Sequence, residues 1–227
     1  MIGIIGAMEV EVERLREQMQ DPVKETVSGM EFVRGKLRGQ DVVLAKSGIG
    51  KVFAAICAQT MAIRYGVTTL VNSGVAGTMT PELHIGDVAI STACVQHDMD
   101  TSALGDPVGL ISGINIVELP CDAALADGLE AAAKKAGVNC RRGLIASGDQ
   151  FVDGARRSVI LERFSPVAVE MESGAIAQVA YVNGCRFVAL RVISDEADGS
   201  AQIDYPTFVK KAAATSSGLV LDWLAGL

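Results

Sequence analysis

Short runs of apolar, largely β-branched residues recur along the chain at Ile2–Ile5, Val42–Ala45, Thr69–Val71, Val88–Thr92, Leu144–Ala146, Val167–Val169 and Phe187–Ile193. In several of them apolar residues follow one another without polar alternation, the pattern of strands covered on both faces. Between them the period lengthens. From Asp122 to Ala136, residues Leu125, Leu129, Ala132 and Ala136 share one face, with Asp122 at the N-cap and Gly137 at the stop, which predicts an amphipathic surface helix. Val52–Tyr65 and Ser173–Val182 are also helical in pattern but apolar around more of their circumference, as helices packed on a sheet or a partner chain are. Asp204 and Pro206 predict the opening of a last helix running towards Trp223. Glu31–Ser47 reads instead as a hairpin turned at Arg38-Gly39-Gln40-Asp41. Alternating strand and helix with one hairpin predicts an α/β fold with a mixed sheet. No linker, repeat or break in composition divides the chain, so residues 1–227 are expected to form a single domain.

The chain has 227 residues, 49% of them apolar and only 4% aromatic, enough for a core that needs no disulfide or metal staple. A net charge of −7 disfavours nucleic acid, whose binding depends on Lys and Arg releasing counterions. Cysteines 57, 94, 121, 140 and 185 are odd in number and lack CxxC or zinc-type spacing, so they are expected to be reduced core thiols. Glu9, Glu11 and Glu13 interrupt the segment where a signal peptide needs an apolar stretch, and no run of 18 apolar residues exists. The expectation is a cytoplasmic protein with no membrane or nucleic-acid partner.

In α/β folds ligands bind beyond the carboxyl ends of strands, so polar residues just after each apolar run are the candidates. Glu9 and Glu11 follow GIIGAM, the SGIGK loop follows Val42–Lys46, Glu170 and Glu172 follow Val167–Val169, and Ser194-Asp195 follows Phe187–Ile193. SGIGK lacks the spacing of a triphosphate-binding loop, and Gly3-Ile4-Ile5-Gly6 lacks the third glycine of a dinucleotide fingerprint. Glu170 and Glu172 flank Met171 where a strand gives way to a helix, whose amino terminus favours a carboxylate. Asp195 ends a hydrophobic run, with Ser194 adjacent and Arg191 four residues earlier, a setting for a partly desolvated carboxyl whose pKa rises towards neutrality. His97-Asp98-Met99-Asp100 resembles a fragment of a metal site, but His84 is the only other histidine, and a hydrogen-bonded loop histidine is expected instead. Phe151, in a turn after a strand, is a candidate for paving a ligand site.

Taken in order, GIIGAMEVEVE, KSGIGKV, NSGVAGTM, VQHDMD, ASGDQFVDG, VEMESGAIA and RVISDEAD span nearly the full length and resemble the 5'-methylthioadenosine/S-adenosylhomocysteine nucleosidases of the purine nucleoside phosphorylase family. The resemblance implies one α/β domain around a mixed, barrel-like central sheet surrounded by helices. It also implies hydrolysis of the N-glycosidic bond of 5'-substituted adenosines without metal or organic cofactor. By the same resemblance Asp195 is the general acid at ring nitrogen 7 of adenine, Glu11 positions and deprotonates the attacking water, and Glu172 binds the ribose hydroxyls. Met171 lies along the sugar, Phe151 stacks on adenine, and the backbone of Val152 reads its edge. Arg191 contributes to the water pocket and Ser194 orients Asp195. Ile49, Tyr205 and Phe208 line the apolar 5' end, and Met8, Val75, Ala76, Gly77 and Ala197 complete the binding wall. Relatives that are phosphorylases hold phosphate with arginines near the first glycine turn, where this chain has Glu9 and Glu11.

Three positions depart from the resembled pattern. Val75 stands where many relatives have a hydroxyl residue, and Val152 and Tyr205 replace a common isoleucine and phenylalanine. The VQHDMDTSAL stretch is more similar to the branch that also hydrolyses 6-amino-6-deoxyfutalosine. In relatives this segment crosses to a neighbouring subunit, which implies a homodimer in which Leu104 caps the partner's 5' pocket.

Overall fold

In the computed structural model, residues 1–198 and 200–227 are described, and among them ten strands and six α-helices alternate. In chain order these are β1 (Ile2–Gly6), α1 (Glu9–Glu17), β2 (Gln20–Val27), β3 (Met30–Leu37), β4 (Gln40–Lys46), α2 (Lys51–Tyr65), β5 (Thr69–Thr78) and β6 (Val88–Gln96). They continue with β7 (Glu118–Pro120), α3 (Ala123–Lys135), β8 (Cys140–Ser147), α4 (Gly154–Phe164), β9 (Ala168–Glu170), α5 (Ser173–Asn183), β10 (Arg186–Asp195) and α6 (Ala201–Leu224).

Strands β5, β10, β6, β8 and β9 pair in a circle and close a small mixed barrel; β1, β4, β3 and β2 extend from β5 as an outer sheet. The continuous apolar runs are explained by burial on both faces. In β1, β4 and β10 alternate residues divide between two cores, Ile4, Leu44 and Leu190 joining the one under α1, α3 and α6, and Ile5, Val43 and Ala189 joining the one under α2 and α5. A smaller cluster around Val95, Ala146 and Ile160 sits under α4.

The predicted hairpin is β3–β4, turned on Arg38 and Gly39, both at positive φ, with Leu37 opposite Gln40. Asp122 caps α3 by accepting the Leu125 N–H at 3.0 Å, and Gly137 takes a left-handed φ just beyond the helix. The last helix differs from the expectation. It starts at Ala201, and Pro206 lies inside it at the cost of one intrahelical bond. All five cysteines are free; Cys57 and Cys94 are buried and the other three only half-buried, so the expected core placement holds for two. Among the described residues no helix is long and apolar enough to cross a membrane.

The long strand β5 organises the functional end. One of its edges pairs with β1 as far as Asn72 and then with β9 from Gly77, so between them a short stretch changes neighbours. Such a switch point opens a crevice in α/β sheets.

Candidate active site

Glu11 is drawn into this crevice by the tight passage from β1 into α1. Its carboxylate turns back over the first turn of α1, where Oε2 accepts the N–H groups of Ala7 at 2.7 Å and Met8 at 2.9 Å. Oε1 accepts the Val75 N–H at 3.1 Å, an amide in the stretch of β5 between its two neighbours. The side chain is almost wholly buried, and burial pushes its pKa up; the positive charge of Arg191 and the three amides oppose that rise without cancelling it. Gly74 makes room for this arrangement. A Cβ there would collide with both the Arg191 guanidinium and the Glu11 carboxylate.

The carboxyl end of β9 supplies two acids with different surroundings. Glu170 is spent on structure: it accepts the N–H groups of Glu172 at 3.0 Å and Ser173 at 2.9 Å, takes a bond from the Ser147 hydroxyl, and pairs with the buried guanidinium of Arg191. Thus Glu170, rather than Glu172, receives the amino terminus of α5. Arg191 also bonds Asn72 and the Ser173 hydroxyl, so its charge stands behind the crevice instead of facing it. Glu172 keeps one backbone donor, the Gly50 N–H at 2.9 Å, and lies 3.7 Å from Arg191. Burial, with the neighbouring charge of Glu170, pushes its carboxyl up to about 8.

Asp195, at the end of β10, has its Oδ2 bonded by the Ser194 hydroxyl at 2.9 Å and its Oδ1 by the Ala197 N–H at 3.0 Å. Burial raises its pKa against the pull of these two donors, and the charges of Asp204 and Asp198 add to the rise. The three acids, from three distant parts of the chain, line one cavity of about 220 Å³.

Met8, Ile49, Val75, Ala76, Gly77, Phe151, Val152, Met171, Ser194 and Tyr205 line the same cavity. Phe151 and Tyr205 meet edge to face with ring centroids 5.7 Å apart, and the Tyr205 hydroxyl reaches Met8 Sδ at 3.0 Å. Phe151 and Ile49 are both exposed to solvent although they line the cavity, and so mark its mouth. Four named residues lie elsewhere: Arg191 behind the wall, Ala197 beneath Asp195, Phe208 half-buried on α6, and Leu104, 84% exposed, on a short 3-10 turn. Ala7, Gln150, Val169 and Glu170 line the cavity without having been assigned a role from the sequence. Only Glu170 carried a signal, the Glu-x-Glu spacing at a strand–helix junction. The His97 backbone N–H donates to the Ser147 carbonyl at 2.9 Å, but the ring Nε2 is buried without a hydrogen-bond partner among the described residues, so the expected hydrogen bonding reaches the backbone of this histidine and not its Nε2.

A family profile described as the phosphorylase superfamily matches residues 1–225. The 5'-methylthioadenosine/S-adenosylhomocysteine nucleosidase of Shewanella halifaxensis is 39% identical over 100% of this chain and 99% of its own length. The crystal structure of the nucleosidase of that name from Neisseria meningitidis, in complex with methylthio-immucillin-A, superposes with a TM-score of 0.96 at 36% identity, over 100% of this chain and 99% of that one. A futalosine hydrolase of Helicobacter pylori matches with a TM-score of 0.95 at 32% identity, covering 100% of this chain and 97% of its own. The chain belongs to the phosphorylase superfamily and, within it, to the family of the 5'-methylthioadenosine/S-adenosylhomocysteine nucleosidases.

Proposed function

We propose that the chain, as one nucleosidase domain over residues 1–227, hydrolyses the N-glycosidic bond of 5'-methylthioadenosine and S-adenosylhomocysteine, giving adenine and the 5-thio-substituted ribose. The observation that carries this reading is the meeting of Glu11, Glu172 and Asp195 in one largely apolar cavity.

Cleavage of adenine from ribose passes through an oxocarbenium-like sugar cation, so the protein must help the purine leave, favour positive charge on the sugar and deliver water. Asp195, whose acid form burial favours, donates its proton to ring nitrogen 7 as the bond breaks. Ser194 and the Ala197 amide fix the orientation of its carboxyl. Glu11 holds the attacking water and takes its proton. Its raised pKa makes it a stronger base than an exposed glutamate, while the amides of Ala7, Met8 and Val75 fix its direction. Glu172 engages the two ribose hydroxyls. With its pKa near 8 it holds a proton at neutrality in the free protein, and hydroxyls donating to it favour the anion that stabilises the developing cation.

Phe151 stacks on adenine while the Val152 backbone reads its edge, Met171 covers the sugar, and Met8, Ile49 and Tyr205 receive the 5' group. The chemistry so drawn calls for no metal or organic cofactor. Water is favoured over phosphate as nucleophile because, among the described residues, no Lys, Arg or His lines the cavity while four carboxyls do. The exposed apolar side chains Val52, Phe53 and Ile63 on α2, and Tyr181 and Val182 beside them on α5, suit a homodimer, in which Leu104 reaches the partner's 5' pocket. The proposed compartment is the cytoplasm, where by-products of S-adenosylmethionine arise.

A second reading, hydrolysis of aminodeoxyfutalosine, is favoured by the VQHDMDTSAL segment and by the likeness to the Helicobacter futalosine hydrolase. Methylthioadenosine, S-adenosylhomocysteine and aminodeoxyfutalosine, each assayed for its released base or free adenine with and without phosphate, decide among the readings. Adenine from the first two in phosphate-free buffer is expected. A strict phosphate requirement with the 5-substituted ribose 1-phosphate as product makes the chain a phosphorylase, and turnover of the futalosine substrate alone makes the second reading the right one.

A further inference from the structure

Between β8 and α4 the chain from Gly148 to Asp153 has no helix or strand of its own, yet it carries Phe151 and Val152 into the cavity. It is fastened at Asp149. The Asp149 N–H donates to Asp98 Oδ2 at 2.9 Å, and Asp149 Oδ1 accepts the N–H of Lys51 at 2.7 Å. The Lys51 side chain closes the circuit, its Nζ donating to Asp98 Oδ1 at 2.6 Å and to Gln96 Oε1 at 3.1 Å. Both side chains of this ion pair are 17% exposed, so solvent screens it little. Lys51 is the first residue of α2, a helix with no side-chain cap of its own. Its amino terminus is filled instead by two carboxylates from other loops, Asp149 on the Lys51 amide and Glu172 on the neighbouring Gly50 amide. Gly50 permits the approach: its φ is +97°, and a Cβ there would sit 2.9 Å from Asp149 Oδ1.

We infer that Lys51, Asp98 and Asp149 form a positioning bridge that sets the loop bearing Phe151 and Val152 at a fixed place relative to Glu172, and so governs recognition of the purine. None of the three lines the cavity, so they act through the loop and not on the substrate. Asp98 holds the Lys51 ammonium and the Asp149 amide, while the Asp149 carboxylate holds the Lys51 amide at the helix terminus. Removing one charge while keeping the shape therefore loosens the loop without opening the core. The inference rests on the adenine-releasing reading above for its substrate, while the mobility of the loop stands apart from it.

The test compares the wild type with Asp98→Asn, Asp149→Asn, Lys51→Met and Lys51→Arg, using adenine itself as the probe of the purine side. In the first three variants adenine inhibition is expected to weaken about tenfold, the loss of one charge-assisted hydrogen bond. KM should rise in parallel while kcat stays within about threefold, the mark of lost ground-state positioning. Lys51→Arg should restore adenine affinity, and Lys51→Met combined with Asp98→Asn should be no worse than either alone. Amide hydrogen exchange over residues 148–153 in the ligand-free protein should quicken in Asp98→Asn. Unchanged exchange there, or variants that lose melting temperature and kcat together while binding adenine as the wild type does, would overturn the bridge. A wild type that ignores adenine while the variants still loosen the loop would bring down the nucleosidase reading instead.

Discussion

At the scale of single residues, the chemistry turns on which carboxyls keep their protons. Asp195→Asn retains the shape and one donor but removes the acid, and kcat is expected to fall by about 10²–10⁴-fold while a non-hydrolysable adenosine analogue still binds, as measured by steady-state kinetics beside calorimetry. Glu172 has a consequence for stability as well. Its pKa rises from 4.5 in the unfolded chain to about 8 in the fold, so between those values the unfolded state releases a proton that the folded state keeps. Stability from this group is complete at pH 4 and drains away as pH climbs through 8. Glu172→Gln should therefore raise the melting temperature by about 3–8 °C at pH 8 and by much less at pH 5, a gain in robustness that forfeits sugar binding. Sequence made Asp195 legible as a desolvated carboxyl from its apolar run and its Ser194 neighbour. The local pattern alone did not separate Glu170 from Glu172, which only the family resemblance told apart, because the partner that claims Glu170, Arg191, comes from β10, some twenty residues on.

At the scale of elements, legibility followed burial. Every run apolar on both faces became a strand, and α2, α3 and α5 fell within a residue or two of their expected bounds. Strand β2 was missed because it is an edge strand exposed along most of its length, so its QDPVKETV sequence carries no apolar alternation. Helix α1 was hidden by its charges: its buried face consists of Val12, Leu15 and the functional Glu11. The capped helix offers a clean check. Asp122 both caps α3 and pairs with Arg186, which with its hydrogen bonds holds its pKa down to about 2. Asp122→Ala should cost about 1 kcal/mol near pH 7 by urea unfolding, and the difference should shrink as pH falls through 2, where the wild-type carboxylate is itself protonated. Gly74→Ala should be harsher. Forcing a methyl between Arg191 and Glu11 is expected to cost about 1–3 kcal/mol and to depress kcat together with stability.

At the scale of the whole molecule, the class of fold followed from alternating strands and helices with one hairpin, whereas the barrel-like sheet was expected from the family resemblance alone. Its closure depends on β10 meeting β6 and β9 meeting β5, contacts between segments about a hundred residues apart whose register no local pattern encodes. The apolar face of α2 and α5 bears on assembly. Ile63, 73% exposed, replaced by Glu should convert the proposed dimer to a monomer by sedimentation or light scattering; a wild type that sediments as a monomer at micromolar concentration removes the dimer from the proposal. The change of neighbours along β5 also ties turnover to architecture. Glu11 hangs from the departing strand, Glu172 from the arriving one and Asp195 from the opposite edge, so the sheet cannot part along β5 without scattering the acids. On heating, inactivation and loss of circular dichroism should trace a single curve, and the rate of adenine release would then report whether the cylinder is shut.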